Sequence, residues 1–403
     1  MSSEGASVIL SDDSQARERA PLAGLRVVEL ARILAGPWLG QTLADLGAEV
    51  VKIESPEGDD TRRWGPPFVQ AADGTDLGAA YFHCCNRGKR SVVADLQSAQ
   101  GLELVNRLIE RADVLIENFK TGSLSRYKLD YASLKQGNPR LIYCSITGFG
   151  QTGPYAGRAG YDAIIQGMSG IMDVTGEANG PPQKIGVALA DILTGVYGVA
   201  AVQAALLQRQ KTGTGQHIDL ALLDVMVGVL ANQALNYLVS GEAPRRIGNQ
   251  HPNIVPYQSF AVLDGYIMIA VGNDAQFQRF CEAIGCGSLS KDPRFVTNAG
   301  RVRERAALLS VLEPAVQAFS RAELLARLEA AAVPAGPVNT LAETFADPQV
   351  VARAMKIEPK GPHADPVPGV RTPIIMSVGI LCLDRQAPRL GEHTSEVRRE
   401  LGL

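Results

Sequence analysis

Leu25-Arg26-Val27-Val28-Glu29-Leu30, then Gly36-Pro37, then Gly47 followed by Glu49-Val50-Val51-Lys52-Ile53-Glu54: the order of these short runs decides the fold. The first and last are apolar enough to be buried strands. Gly36-Pro37 opens a helix running to about Leu46, since proline suits a first helical turn and glycine suits the residue beyond a last one. Strand, helix and strand in this order predict a βαβ unit, hence a parallel sheet with a right-handed crossover. A second unit follows, with Arg90–Ala94 as strand, Gln100–Ala112 as amphipathic helix and Val114–Glu117 as strand; Leu141–Ile146 is a further strand. The alternation continues to about residue 210 and predicts a doubly wound α/β domain.

Beyond Gln210 the pattern changes. Lys211–Gly215 reads as a turn, His217–Leu220 as a short strand and Leu223–Leu238 as one long apolar helix. Gly241–Ser259, with Pro244, Pro252 and Pro256, reads as a connecting loop. Gly265–Val271 opens a smaller domain with several helices through Glu304–Ala331, and Pro334–Pro337 reads as a linker. The layout is therefore a polar tail over 1–20, a large domain over 21–225, a linking helix and loop over 226–260, a small domain over 261–333, and a return to the large domain over 334–403.

Net charge of −3 and a pI near 6.0 argue against nucleic acid as the partner. The Val8-Ile9-Leu10 run is too short for a signal segment or a membrane span, so a cytoplasmic protein is expected. Six cysteines show no metal spacing; Cys84-Cys85 is vicinal, and free thiols in a reducing compartment are the expected state. The five histidines are scattered, so no metal is expected.

Asp191 is a single acid in the apolar run Ile185–Leu207, which reads as a buried helix with Asp191 in or near its first turn. The positive end of the helix dipole should help keep it ionised, and a poorly hydrated carboxylate is a good nucleophile toward an activated acyl group. Helix capping explains the same position equally simply. Gly148-Phe149-Gly150-Gln151-Thr152-Gly153 matches G-x-G-x-x-G after a strand, yet no helix follows to face a pyrophosphate. A glycine loop closing over a substrate is the better use, with Gly148 and Gly150 as candidate contacts. Lys89-Arg90, Lys120, Arg126 and Arg158 cluster at turns of the first domain, and Lys120 and Arg126 suit phosphates. Tyr161-Asp162 reads either as a cap with a packed ring or as a ligand contact. No nucleophile elbow or Ser-His-Asp spacing is present.

Leu34-Ala35-Gly36-Pro37, Asp45–Glu54, Glu117-Asn118-Phe119, Asn138–Ile142, Thr147–Gly150, Gly160-Tyr161-Asp162, Gly213–Gln216 and Leu390–Thr394 together resemble class III CoA-transferases of the CaiB/BaiF type, over nearly the whole chain from Pro21 to Leu403. The resemblance implies a large Rossmann-like domain and a smaller α+β domain in an interlocked homodimer. It implies Asp191 as the catalytic aspartate, ending a Gly-x-x-x-x-Asp segment from Gly186. It places CoA contacts at Leu34, Ala35, Gln97, Asn118, Phe119, Lys120, Arg126, Tyr161 and Asp162. Coenzyme A and acyl-CoA are then substrates rather than a resident cofactor, small carboxylic acids are the other partners, and neither membrane nor nucleic acid is expected.

Several departures narrow the substrate. Gln97 stands where the family often has lysine, and Arg32-Ile33-Leu34 replaces the His-Val-Gln loop of formyl-CoA transferase. Gly248-Asn249-Gln250-His251 replaces that enzyme's glycine run, so oxalate and formyl-CoA are disfavoured. Gly58–Arg62, Trp64–Phe68, Ile142–Gly148 and Ile254–Gln258 look like the succinyl-CoA-dependent dicarboxylate branch. A distal carboxylate calls for an arginine, with Arg32 and Arg62 as candidates. Two rivals stand beside this reading. An α-methylacyl-CoA racemase would need the histidine of a Gly-His-Asp motif where this chain has Tyr161, and neutral tyrosine is a poor base near pH 7. A non-catalytic CoA-binding protein would leave Asp191 idle.

Overall fold

The computed structural model describes residues 18–71, 73–359 and 367–403. Its large sheet holds six parallel strands: β1 (Arg26–Glu29), β2 (Glu49–Glu54), β3 (Arg90–Val93), β4 (Val114–Glu117), β5 (Ile142–Thr147) and β6 (His217–Ala221). Their spatial order is β3-β2-β1-β4-β5-β6, so the chain winds outward first one way and then the other from β1. This is the doubly wound arrangement expected from the alternation of strands and helices.

Side-chain alternation builds two cores. Val27, Ile116, Ile142, Cys144 and Ile146 face helices α1 (Ala35–Asp45) and α6 (Leu189–Thr212). Val28, Val92, Leu115 and Tyr143 face the opposite side, against α3 (Ala99–Glu110). Between these helices in sequence lie α2 (Ala80–His83), α4 (Tyr131–Gly137) and α5 (Asp162–Met168). On α6 the residues Ala190, Thr194, Gly198, Val202, Ala205 and Arg209 form one buried stripe. Gly195 lets α6 approach α1, because a Cβ there would lie 2.9 Å from the Ala35 carbonyl oxygen. The helix is thus not buried all round, as its apolar sequence suggested: Val196, Tyr197 and Leu207 are exposed. By length and composition alone α6 would also suffice to cross a membrane.

The closing segment covers the β3 edge, which would otherwise offer unpaired backbone groups. His393 N–H donates to the Ser91 carbonyl at 2.9 Å, Val93 N–H to Thr394 Oγ1 at 3.0 Å, and Arg90 pairs with Glu400 at 2.7 Å.

The chain divides into two compact units. One runs to Ile171 and includes Ile185–Leu235 and Pro348–Leu403; the other holds Met172–Lys184 and Asn236–Asp347. The second contains antiparallel strands β7 (Tyr257–Val262), β8 (Gly265–Ala270) and β9 (Ala335–Pro337), in the order β9-β8-β7. Phe260, Ile267, Ile269, Phe277, Phe280, Leu308, Leu312 and Leu324 fill its core.

Three sequence expectations change here. Tyr257–Ser259, expected in a loop, begins β7, because these residues pair with Met268–Ala270 across a hairpin. Pro334–Pro337, expected as a linker, contains an edge strand, where Pro337 withholds no ladder donor that the sheet needs. The expected long helix over Leu223–Leu238 is two helices, α7 (Leu222–Gly228) and α8 (Ala231–Ser240), separated at Val229-Leu230 and followed by Ala231 at φ 47°.

Beneath the carboxyl ends of β1 and β2 lies a dry ionic cluster. Lys52 Nζ meets Asp59 at 2.9 Å, Glu29 at 3.2 Å and the Ala31 carbonyl at 2.9 Å; Lys89 Nζ meets Glu29 at 2.8 Å. Lys52, Lys89 and Glu29 side chains have no exposed surface. Burial opposes the Lys52 charge, but Glu29 and Asp59 outweigh it and hold the ammonium on. Removing one member strands the others, which costs about 3–5 kcal/mol. Lys52→Met should therefore lower the unfolding free energy from urea titration by about that amount, whereas a surface change such as Lys356→Met should move it by less than about 0.5 kcal/mol. Equal values would show that the cluster carries no stability.

Candidate active site

The loops leaving β1, β4 and β5 all emerge at the carboxyl edge of the sheet, where open α/β folds bind their ligands. The first, Ala31–Leu34, is held in an unusual shape. Ile33 sits at φ 70°, a left-handed conformation that a β-branched residue adopts at a cost of about 1–3 kcal/mol. Its restraints are all visible. Arg32 N–H donates to Asn118 Oδ1 at 2.9 Å, and Asn118 Nδ2 donates to the Arg32 carbonyl at 2.7 Å. Ile33 N–H faces Asp59 at 3.3 Å, and Lys52 holds the Ala31 carbonyl at 2.9 Å. The chain then enters α1, whose first amide, Ala35 N–H, stands close enough to the Asp191 carboxylate to favour its charged form.

Asp191 lies in the first turn of α6, half-buried, with an arriving segment pinned from α5. Asp162 Oδ1 accepts the Ala190 N–H at 2.8 Å, while Asp162 Oδ2 accepts Gln166 Nε2 at 2.8 Å. The buried Gln166 Oε1 accepts Ile185 N–H at 2.9 Å. Asp162 therefore shapes the approach to Asp191. Burial pushes the Asp191 carboxyl up to about 7, the Asp162 charge adds to this, and the Ala35 amide pulls the other way. The helix start favours the ionised form, as expected, while desolvation and the Asp162 charge oppose it.

Other candidates fall into place unevenly. Leu34 and Ala35 are buried at the start of α1. Phe119 is half-buried; Lys120 and Arg126 are exposed on the same connection, with Arg126 over the Tyr127 ring at 4.6 Å. Tyr161 is exposed at the entry to α5. Gln97 is exposed beyond β3, at the edge of the sheet, where its N–H donates to Asp95. Gly148 packs against Gly160, whose Cα would lie 2.7 Å from a Cβ at 148. Gly150 has φ 85°; its N–H donates to Thr147 Oγ1 and the next amide, Gln151, to Asp219. Those two amides are thus already engaged, and the amide that bears on the Asp191 charge is Ala35.

Arg62 is corrected as a substrate arginine. Its guanidinium grips Glu54 at 2.8 and 2.7 Å, donates to the Pro388 carbonyl and stacks on Phe82 at 3.7 Å, leaving its side chain 11% exposed. Arg32 is 58% exposed and pairs with Asp60 at 2.9 Å.

Sequence reading missed Tyr81. Burial and then the Asp191 charge raise its phenol above the ordinary range, so it stands in the field of that carboxylate; its ring meets Trp64 edge-on at 5.3 Å. A four-residue helix between loops gives no periodic signal. Glu117, at the end of β4, is a second carboxyl that burial pushes up to about 7. Among the described residues no group of three or more His, Cys, Asp or Glu is placed to hold a metal.

With this geometry in hand, relatives give the chemistry a name. The profile of CoA-transferase family III matches residues 22–394. The chain is 56% identical over 384 residues to the succinate–glutarate CoA-transferase of Agrobacterium fabrum, covering 95% of this chain and 96% of that protein. It is 39% identical over 382 residues to the human succinyl-CoA:glutarate CoA-transferase, covering 94% and 86% respectively. The crystal structure of a CaiB/BaiF family protein from Brucella suis superposes with a TM-score of 0.86 at 61% identity, over 95% of this chain and all of that one.

Two outcomes are expected. If Asn118 serves to shape the Arg32–Ile33 backbone, Asn118→Ala should lower kcat about 10–100-fold with KM for acyl-CoA within about threefold; raised KM at unchanged kcat would return it to CoA binding. An acid whose folded pKa is raised loses its proton late, so activity that needs the Asp191 carboxylate should fall as pH drops below about 7. Asp162→Asn should move that acid limb to lower pH, and an unmoved limb would separate it from Asp191.

Proposed function

The chain belongs to CoA-transferase family III, and from that premise we propose that it moves CoA from succinyl-CoA to a free dicarboxylate, glutarate first, with Asp191 as the covalent carrier. The observation that carries the mechanism is Asp191 itself: a half-buried carboxylate in the first turn of a helix, with the Ala35 amide favouring its charged form. The names of the relatives from Agrobacterium fabrum and human support the substrate pair.

In this reading one Asp191 oxygen attacks the thioester carbonyl of succinyl-CoA. The C–S bond breaks, giving a succinyl–aspartyl anhydride and CoA thiolate. The thiolate attacks the aspartyl carbonyl, expelling succinate and leaving an Asp191–CoA thioester. Glutarate attacks that thioester, the thiolate returns to the glutaryl carbonyl of the new anhydride, and glutaryl-CoA leaves as Asp191 is regenerated. Thioester and anhydride are close in energy, so positioning and exclusion of water supply the catalysis. The Ala35 N–H, which favours the charged carboxylate, is the nearby donor for the oxygen that gains charge when the aspartyl carbonyl is attacked. Lys120 and Arg126 are the exposed cations for the CoA phosphates, with Leu34, Ala35, Phe119 and Tyr161 along its path. Arg32, rather than Arg62, is assigned to the distal carboxylate, exchanging Asp60 for it.

A second copy of the chain is the proposed partner. Val196, Tyr197 and Leu207 on α6 and Ile164 and Met168 on α5 are large exposed apolar residues, which a homodimer contact would cover. Six free cysteines suit a reducing cytoplasm.

Purified protein mixed with succinyl-CoA and a panel of mono- and dicarboxylates should yield glutaryl-CoA by mass spectrometry. Asp191→Ala should reduce this by on the order of 10⁴-fold with the fold intact. New acyl-CoA from monocarboxylates alone would remove the dicarboxylate assignment, and substantial turnover by Asp191→Ala would remove the carrier.

A further inference from the structure

Cys84 and Cys85 are nucleophiles that the transfer chemistry leaves unused. They follow α2 directly, and both sulfurs turn back onto one carbonyl: Cys84 Sγ lies 3.0 Å and Cys85 Sγ 3.9 Å from the Tyr81 oxygen. One thiol is exposed and its neighbour is fully buried. The buried one has a second role. Its S–H points at the Ile33 carbonyl at 3.6 Å, beneath the left-handed residue whose loop delivers the Ala35 amide to Asp191. Asn86 Nδ2 fixes that sulfur from the other side at 3.4 Å. The exposed thiol is the reactive member: it is the one that solvent reaches, and the Lys89 and Arg87 charges favour its thiolate.

We propose that Cys84 and Cys85 form a dithiol that peroxides oxidise to a vicinal disulfide, and that this bond switches off the neighbouring carboxylate site. The Cys84 thiolate attacks one peroxide oxygen; the O–O bond breaks, the departing oxygen takes a proton and leaves as water, and Cys84 becomes a sulfenic acid. Cys85 then loses its proton and its sulfur attacks Cys84 Sγ. The S–O bond breaks, a second water leaves, and the S–S bond closes. Two electrons pass from the two thiols to the peroxide.

Two structural changes follow from that ring. Cys85 no longer carries a hydrogen to donate to Ile33, so the strained loop loses one restraint. The peptide between the cysteines must also twist, and its Cys84 carbonyl is what Gln41 Nε2 binds at 3.1 Å while Gln41 Oε1 holds the Arg87 amide at 2.9 Å. The first change acts on the β1–α1 loop at Ile33, the second on α1 at Gln41. The effect on turnover rests on Asp191 carrying the transfer; the oxidation itself does not.

The test treats the full chain with hydrogen peroxide, blocks remaining thiols and measures the mass of the tryptic peptide Trp64–Arg87, which contains both cysteines. The expected product lacks two hydrogens, forms before Cys144, Cys281 or Cys382 reacts, and returns to the dithiol with dithiothreitol. CoA exchange should fall at least about tenfold in step with it and recover on reduction. Cys84→Ser should keep the reduced rate within about twofold and resist peroxide, while Cys85→Ser should oxidise at Cys84 beyond recovery by dithiothreitol. Oxidation without the disulfide, or a disulfide with unchanged exchange, overturns the proposal. The mass readout stands apart from turnover: a disulfide in a protein that never exchanges CoA would condemn the transferase reading, not the dithiol.

Discussion

Lys52 is the residue on which the site depends. With its ammonium sealed from water, it holds Glu29 on β1, Asp59 in the connection beyond β2, and the carbonyl of Ala31. Asp59 in turn faces Ile33, and Asn118 reaches from the end of β4 to the Arg32 backbone. A left-handed isoleucine persists only where its surroundings over-determine it. Here they do, and the result is an amide aimed at a carboxylate. Strand pairing sets where the loops emerge; the buried charges set their conformation.

Asp191 gathers the opposite influences. Its approach is fixed by Asp162 and Gln166, yet the same Asp162 places negative charge beside it. Burial and that charge lift the carboxyl to about 7. A carboxyl of this kind is partly ionised near neutrality and is not so stabilised by partners that it would be inert in the proposed role. The chain accepts two carboxylates side by side in a half-buried place, a common compromise at working sites.

Much of the fold was legible because its signals are local. Val27 and Val28 part to opposite cores by simple alternation, and Gly36-Pro37 and Gly47 mark the first helix within a residue or two. What escaped were features decided at a distance. Ala335–Pro337 is a strand only because Ile267–Ile269 pairs with it, and the Tyr257 end of β7 exists for the same reason. The site divides likewise. Asp191 stood out as a lone acid in an apolar run. Arg62 was misjudged because Glu54, its partner, lies on a strand, and no spacing rule joins them. Asp162 proved to be a brace for the segment that leads into Asp191, and the Ile33 conformation has no sequence signature at all.

Oxygen exchange into Asp191 is the most direct measure of this arrangement. In the proposed cycle the aspartate returns with one oxygen taken from the incoming acid. After turnover with succinyl-CoA and oxygen-18-labelled glutarate, the tryptic peptide Ile185–Arg209 should gain label, located by fragmentation to Asp191. It should gain none when succinyl-CoA is omitted. An unlabelled Asp191 after many turnovers would mean that CoA passes between acids without this carboxylate, and the account built around it would fail.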